Sequence, residues 1–287
     1  MNVTITSKRG SVVVNRSPFS LTEEINLSGL KASVSMVDTN RDGSTFINST
    51  FNTRDVDISG FIRTYGMSET LIQQHRNKLY QLWNPKERVT VSFESEEDYY
   101  QVSGYPVSFP VFGVDTKSKN NRFHTFLLQM TMDDPFIYRK PNVVTFSSVI
   151  PSFSFPMTFT DVTLGEKSDS LIETIVNTGV MDCPIEILMK AKGTVVNPFL
   201  LNLQTQEKLT LTTTLQNGEQ VYIHTGKSKE VSKIFTDGSK QNFYYSLSLD
   251  SDFLQLNVGD NIFRFGSDEG EENLQVQITY HERLGGL

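Results

Sequence analysis

Apolar residues recur at every second position through most of this 287-residue chain. In its first half, Ala32/Val34/Met36, Val56/Ile58, Val89/Val91/Phe93, Tyr100/Val102 and Phe126/Leu128/Met130/Met132 each place apolar groups on one face of a strand. One stretch breaks this period: Ile72, His75, Leu79, Leu82 and Trp83 recur at helical spacing. Ser68 stands where an N-cap belongs, Glu69 suits the positive helix start, and Asn84-Pro85 stops the run. The spacing predicts one helix, near 69–83, laid across a sheet with Trp83 as a packing anchor.

Residues 141–156, "PNVVTFSSVIPSFSFP", carry three prolines and four serines without a single period, as a connection between domains does. Alternation resumes beyond it at Ile185/Ile187/Met189/Ala191, Leu209/Leu211/Thr213/Leu215, Val221/Ile223, Phe243/Tyr245/Leu247/Leu249 and Leu274/Val276/Ile278/Tyr280. Asn217-Gly218 has the composition of a primed hairpin turn, and Gly259-Asp260 marks another turn. The prediction is a mainly β chain. A β-rich domain with one helix spans 1–140, a linker spans 141–156, and a β-sandwich or jelly roll spans 157–287.

Composition fits two packed domains: 20 Phe and 10 Tyr supply core, and 37% hydrophobic against 21% charged residues argues against disorder. No run of about 18 apolar residues exists, and "MNVTITSKRG" lacks a basic start followed by an apolar stretch, so neither membrane insertion nor a signal peptide is expected. The single Cys183 excludes an internal disulfide and suits a reducing cytoplasm during folding. The net charge of −7 is unevenly spread. Residues 1–140 hold sixteen Lys/Arg against fifteen Asp/Glu, whereas 141–287 hold ten against eighteen. An acidic second half repels phosphate and speaks against nucleic-acid recognition.

The chemistry on offer is sparse. "DTNRDGSTFINS" opens like a calcium loop, with Asp38, Asn40 and Asp42 at alternate positions and then Gly43. The twelfth position, where such a loop needs a bidentate Glu, is Ser49, and both flanks alternate as strands rather than helices. The stretch therefore reads as a polar turn, and no metal site is expected. Glu94, Glu96, Glu97 and Asp98 could serve as the paired carboxylates of a hydrolase, but they fall between two strand patterns where a solvated hairpin tip belongs. His75, His124, His224 and His281 have no second His or Cys at ligand spacing. No nucleophile elbow, phosphate loop or dinucleotide fingerprint occurs, so no catalytic residues and no cofactor are expected. Tyr222 and Tyr244 lie off the main apolar phase, which makes them candidates for stacking on a sugar ring.

The order of these motifs resembles one family. "VSMVDTNRDGSTFINSTFNTRDVDISGFI", a helix ending "LYQLWNP", "YYQVSGYPVSF" and "FLLQMTMDDPFIY" follow one another as in the N-terminal domain of the distal tail proteins of long-tailed bacteriophages. The family's turn before an R-x-I/V-x-I-x-G strand corresponds to Arg41-Asp42-Gly43 before the strand from Arg54 to Gly60. "NTGVMDCPIEI", "NPFLLNLQTQEKLTLTTTLQNGEQVYIHT" and "DFLQLNVGDNIFRF" are similar to that family's galectin-like C-terminal sandwich. The resemblance implies a structural part of the virion tail tip, assembled in the bacterial host cytoplasm. It implies a ring-forming first domain with a hairpin arm, and Arg41, Asp42, Gly43 and Arg54 at the ring interface. The implied partners are further copies in a homohexamer, the tail tube protein, a tail-associated lysin or fibre protein, and receptor-binding proteins. No added carbohydrate-binding module is expected after the last strand. Two other readings stand beside the hub: a lectin-like module using Tyr222 and Tyr244, and a cell-wall hydrolase using Glu94 or Glu96.

Overall fold

The computed structural model describes residues 2–39, 42–147, 149–150, 166–167 and 171–287. The chain divides into two compact units, Met1–Lys140 with Leu284–Leu287, and Pro141–Arg283.

The first unit runs β1 (Asn2–Ser7), β2 (Gly10–Val13), β3 (Phe19–Leu21), β4 (Ala32–Asp38), β5 (Ser44–Phe51), β6 (Arg54–Arg63), α1 (Glu69–Leu82), β7 (Val89–Glu94), β8 (Tyr99–Pro106), β9 (Val111–Phe112), β10 (Phe123–Met132) and β11 (Ile137–Arg139). Its main sheet has the order β2-β1-β7-β8-β10-β6-β3, with β9 beside β10 and β11 beside β8. The alternating residues do what their period requires. Val56, Ile58, Val89, Val91, Phe93, Val102, Phe126, Leu128, Met130 and Met132 all point into one core.

The helix begins where its capping residue stands: Ser68 Oγ accepts a hydrogen bond from the Leu71 N–H at 3.3 Å. Leu79, Leu82 and Trp83 join the core, and Trp83 is completely buried. Gly60 of β6 is dictated by close packing. A Cβ there would lie 2.4 Å from Phe126 Cζ and 2.6 Å from the Ser20 carbonyl oxygen, so the last residue of the R-x-V-x-I-x-G pattern has no room for a side chain.

The second unit is a β-sandwich. One sheet has the order Asn142–Ser147, Leu274–Tyr280, Cys183–Ala191, Gln220–His224, Glu230–Ile234 and Lys240–Asn242, and the other Ile172–Asn177, Gly259–Gly266, Phe199–Asn202 and Lys208–Thr210. Ile185, Ile187, Met189, Val221, Ile223, Val276 and Ile278 of the first meet Ile175, Leu200, Phe263 and Phe265 of the second in a single core.

Three expectations change. Asn142–Ser147, read as part of a linker, pairs along its full length with Leu274–Tyr280, because Val144 and Phe146 fall in phase with the sandwich core; residues 148 and 151–156 of that stretch lie outside the described residues. The run from Phe243 to Leu249 is no strand: Tyr244–Ser246 closes a 3-10 turn, and Leu249 is fully exposed. At Asn217-Gly218 the turn is real, with Gly218 at φ +86° and Glu219 N–H donating to Gln216 O. Its flanking strands do not form a hairpin, since Thr214–Leu215 pairs with Val195–Val196 while Gln220–His224 pairs with Cys183–Ala191.

Candidate assembly surface

β4 and β5 pair only with each other. Every residue of both strands is exposed, so this hairpin adds no side chain to either core. At about 3.3 Å per residue the seven-residue β4 is roughly 23 Å long. Its register separates two faces. One carries Ala32 opposite Phe51, Val34 opposite Ser49, and Met36 opposite Phe46; the other carries Ser33 opposite Thr50 and Ser35 opposite Asn48. The step from Ser35↔Asn48 to Met36↔Phe46 leaves Ile47 as an extra, bulged residue. Met36, Phe46 and Ile47 are 59%, 58% and 60% exposed. The strands are thus amphipathic, as Ala32/Val34/Met36 predicts; at the base of the arm Phe51 packs edge-on to Phe136 at 5.4 Å, and beyond it Val34, Met36, Phe46 and Ile47 remain exposed.

The calcium-like stretch is the tip of this arm. Thr39 N–H and Oγ1 both donate to Gly43 O, at 3.3 and 2.9 Å. Gly43 sits at φ +99°, a conformation that glycine adopts without strain. Strands flank the turn on both sides, and among the described residues no group of three or more His, Cys, Asp or Glu is arranged to hold a metal. Asp42 and Gly43 therefore lie at the arm tip, while Arg41 falls outside the described residues.

Arg54 does not lie with them. Only 6% exposed, its guanidinium donates to Leu27 O at 3.0 Å and to Gly285 O, so it fastens residues 27 and 285 to the start of β6. Burial lowers its pKa. The β6 alternation turns position 54 inward with Val56 and Ile58, so the side chain expected at the ring interface is bonded within its own unit.

The remaining candidates stay apart. Glu94, Glu96, Glu97 and Asp98 form the exposed tip joining β7 to β8, closed by Ser95 N–H to Asp98 O at 2.8 Å. Tyr222 lies mid-strand on the outer sandwich face, its pKa pushed up to about 12 by burial and by the neighbouring Glu186 and Glu230 carboxylates; Lys240 Nζ stands 5.9 Å from its ring centroid. Tyr244 lies past the sheet edge on the 3-10 turn, tilted against Phe253 at 6.4 Å. Tyr222 pairs with Ser232, and Ser232 with Asn242, so the strand that leads to Tyr244 lies two positions across the sheet from Tyr222. His75 packs edge-on to Phe19 at 5.7 Å, and burial with Lys78 lowers its pKa; burial, Lys119 and Arg76 do the same to His124. Buried Cys183 has its thiol pKa raised to about 12, which leaves it unreactive. Among the described residues no helix is long and apolar enough to cross a membrane.

Two family models match. Residues 10–132 match the phage tail protein RIFT-related domain, and residues 178–284 match the siphovirus-type tail component, C-terminal domain. No curated protein matches the chain in sequence. Among solved structures, the Dit protein (gp 19.1) of phage SPP1, described as a paradigm of the hub adsorption apparatus in phages infecting Gram-positive bacteria, superposes with a TM-score of 0.68 at 14% identity over 98% of both chains. Chains of the phage P2 baseplate in its activated conformation are similar too. The Ca form gives a TM-score of 0.60 at 10% identity, and the Sr form 0.61 at 9%, each covering 100% of this chain and 99% of its counterpart. At such identities the superpositions speak for the fold, and the two family models, in tandem over both units, carry the assignment. The chain belongs to the distal tail proteins of long-tailed phages, and is a structural component of the virion tail.

Proposed function

We propose that the chain closes into a hexameric ring at the tail tip. The ring links the last tail-tube ring to the tail-associated fibre or lysin protein and carries receptor-binding proteins outside. Its work is done by interfaces, without catalysis by this chain. The observation that carries this reading is the uncovered apolar face of the β4–β5 arm.

An isolated two-stranded hairpin is at best marginally stable in water, and exposed contiguous apolar surface marks a contact site. Val34, Met36, Phe46 and Ile47 together form such a surface along an arm whose strands are exposed throughout. A neighbour that receives it removes both costs at once. The near-neutral charge of residues 1–140 permits like copies to approach, whereas the acidic 141–287 segments repel one another. The separation of Tyr222 from Tyr244 gives the lectin reading no support in the geometry.

Size-exclusion chromatography with light scattering and negative-stain imaging test the proposal. The parent chain should give a six-fold ring. Met36→Asp/Phe46→Asp, which places charges on the arm at exposed positions, should leave a folded monomer. A parent chain that stays strictly monomeric at high concentration, alone and with its tail partners, would overturn the ring.

A further inference from the structure

A closed ring of identical subunits uses heterologous contacts, so each copy gives one surface and receives with a different one. The arm is the giving surface. We infer that the receiving surface is the patch of Tyr105, Val107, Phe109, Val111 and Val114 between β8 and β10 of the first unit, and that a second copy of this chain lays the apolar face of its arm there. This rests on the ring proposed above and adds its missing half.

The patch is unusual for a solvent-facing loop. Five large apolar side chains fall within ten residues, with Val107 64% and Val114 92% exposed and the other three near half. Surface of this kind on a soluble protein signals a partner. It is also built rather than loose. Val107 N–H donates to Gln129 O at 2.9 Å, Val111 and Phe112 pair with Leu127 and Phe126 of β10, and Gly113 N–H donates to Thr125 O at 3.2 Å. Helix α1 backs it, with Tyr80 5.4 Å from Phe112 and 6.3 Å from Phe109, and the Arg76 guanidinium 4.5 Å from the centre of the Phe112 ring. A Cβ on Gly113 would stand 2.2 Å from Ser118 Cβ, so the loop closes tightly on itself. Such a surface is ready to receive a partner without first being ordered.

Charge favours a second copy as that partner. Residues 105–122 carry Lys117, Lys119 and Arg122 against a single acid, Asp115, and the Asp115 carboxylate is already engaged by the Ser118 N–H at 2.7 Å. Residues 32–51 carry Asp38 and Asp42 against Arg41. The arm tip is therefore net negative and the loop net positive, each beside exposed apolar side chains. That is the arrangement which lets one copy dock on the next while two arms, or two patches, repel.

Mixing two defective proteins tests the inference. One carries Met36→Asp/Phe46→Asp on the arm, the other Val107→Asp/Val111→Asp on the patch, and circular dichroism checks that both fold. Each alone should be monomeric by light scattering. Mixed in equal amounts they should give a 1:1 dimer and nothing larger, because one intact arm meets one intact patch and both outer ends are blocked. A patch variant that forms rings like the parent would overturn the inference while leaving the ring standing, and would assign the patch to a different tail protein. Arm-on-arm contact would be shown by a patch variant that associates on its own through its intact arm, and it too would overturn the inference, as would a mixture that stays monomeric while the parent assembles. Where the parent itself remains monomeric, a photo-crosslinker at Met36 reads the same contact from transient encounters. Adducts to residues 105–114 of a second copy support it, and adducts confined elsewhere, or none, refute it.

Discussion

Lys233 Nζ lies 2.8 Å from Glu219 Oε2, with both side chains mostly buried, which makes this pair a sensitive reporter of the sandwich. Burial acts to raise the Glu219 pKa, but the Gln216 N–H and the Lys233 ammonium outweigh it, and the carboxyl is held below its ordinary value. A folded-state pKa below the unfolded one stabilises at pH above the normal carboxylate range, and that contribution fades as pH falls through the folded value. Lys233→Met should therefore cost about 2 kcal/mol at pH 7, with a smaller loss at an acid pH low enough to protonate Glu219 in the folded state as well. Urea titrations at the two pH values measure this, and equal losses would refute it. At this scale some residues were legible and others were not. Ser68, Trp83 and Gly43 have roles that follow from local chemistry. Arg54 did not, because whether an arginine faces solvent or two carbonyls depends on residues 27 and 285, far away in the chain.

Among the elements, the arm departs most from what its periodicity alone suggests. Its alternation is that of an ordinary strand on a core, since a period-2 pattern reports that one face is to be covered and says nothing of what covers it. Replacing residues 32–51 with a short flexible loop should change monomer stability by no more than about 0.5 kcal/mol, yet abolish self-assembly. Thermal melts and light scattering on the same protein measure the two effects. A large loss of stability would mean that the arm packs within its own subunit. The Phe243–Leu249 run shows the opposite error. Four alternate apolar residues imitate a strand, but Ser246 Oγ donates to Phe243 O at 2.7 Å and Thr212 N–H to Ser246 O at 2.6 Å, which secures a turn in its place. Asn142–Ser147 was hidden by the serines and prolines around it, although its pairing with Leu274–Tyr280 is continuous.

In the whole molecule, two separate hydrophobic cores imply two cooperative units. Leu128→Ala in the first and Ile278→Ala in the second each remove a fully buried side chain and should each cost about 3 kcal/mol. Differential scanning calorimetry on the monomeric arm variant should show each substitution lowering a different transition. A single transition moved equally by both would mean that the units unfold as one. Leu284 packs against the first core and Gly285 accepts from Arg54, so the last residues stabilise the unit that began the chain.

Sequence by itself determined the mainly β class, the single helix with its cap and stop, the phase of nearly every core strand, and the family, because these depend on local periodicity and on the order of motifs. Tertiary structure alone decided which apolar faces remain bare, where Arg54 points, and that residues 284–287 return to the first unit. Burial is a property of neighbours brought from afar, and one strand with an apolar face reads the same whether its cover is its own sheet or another copy of the chain.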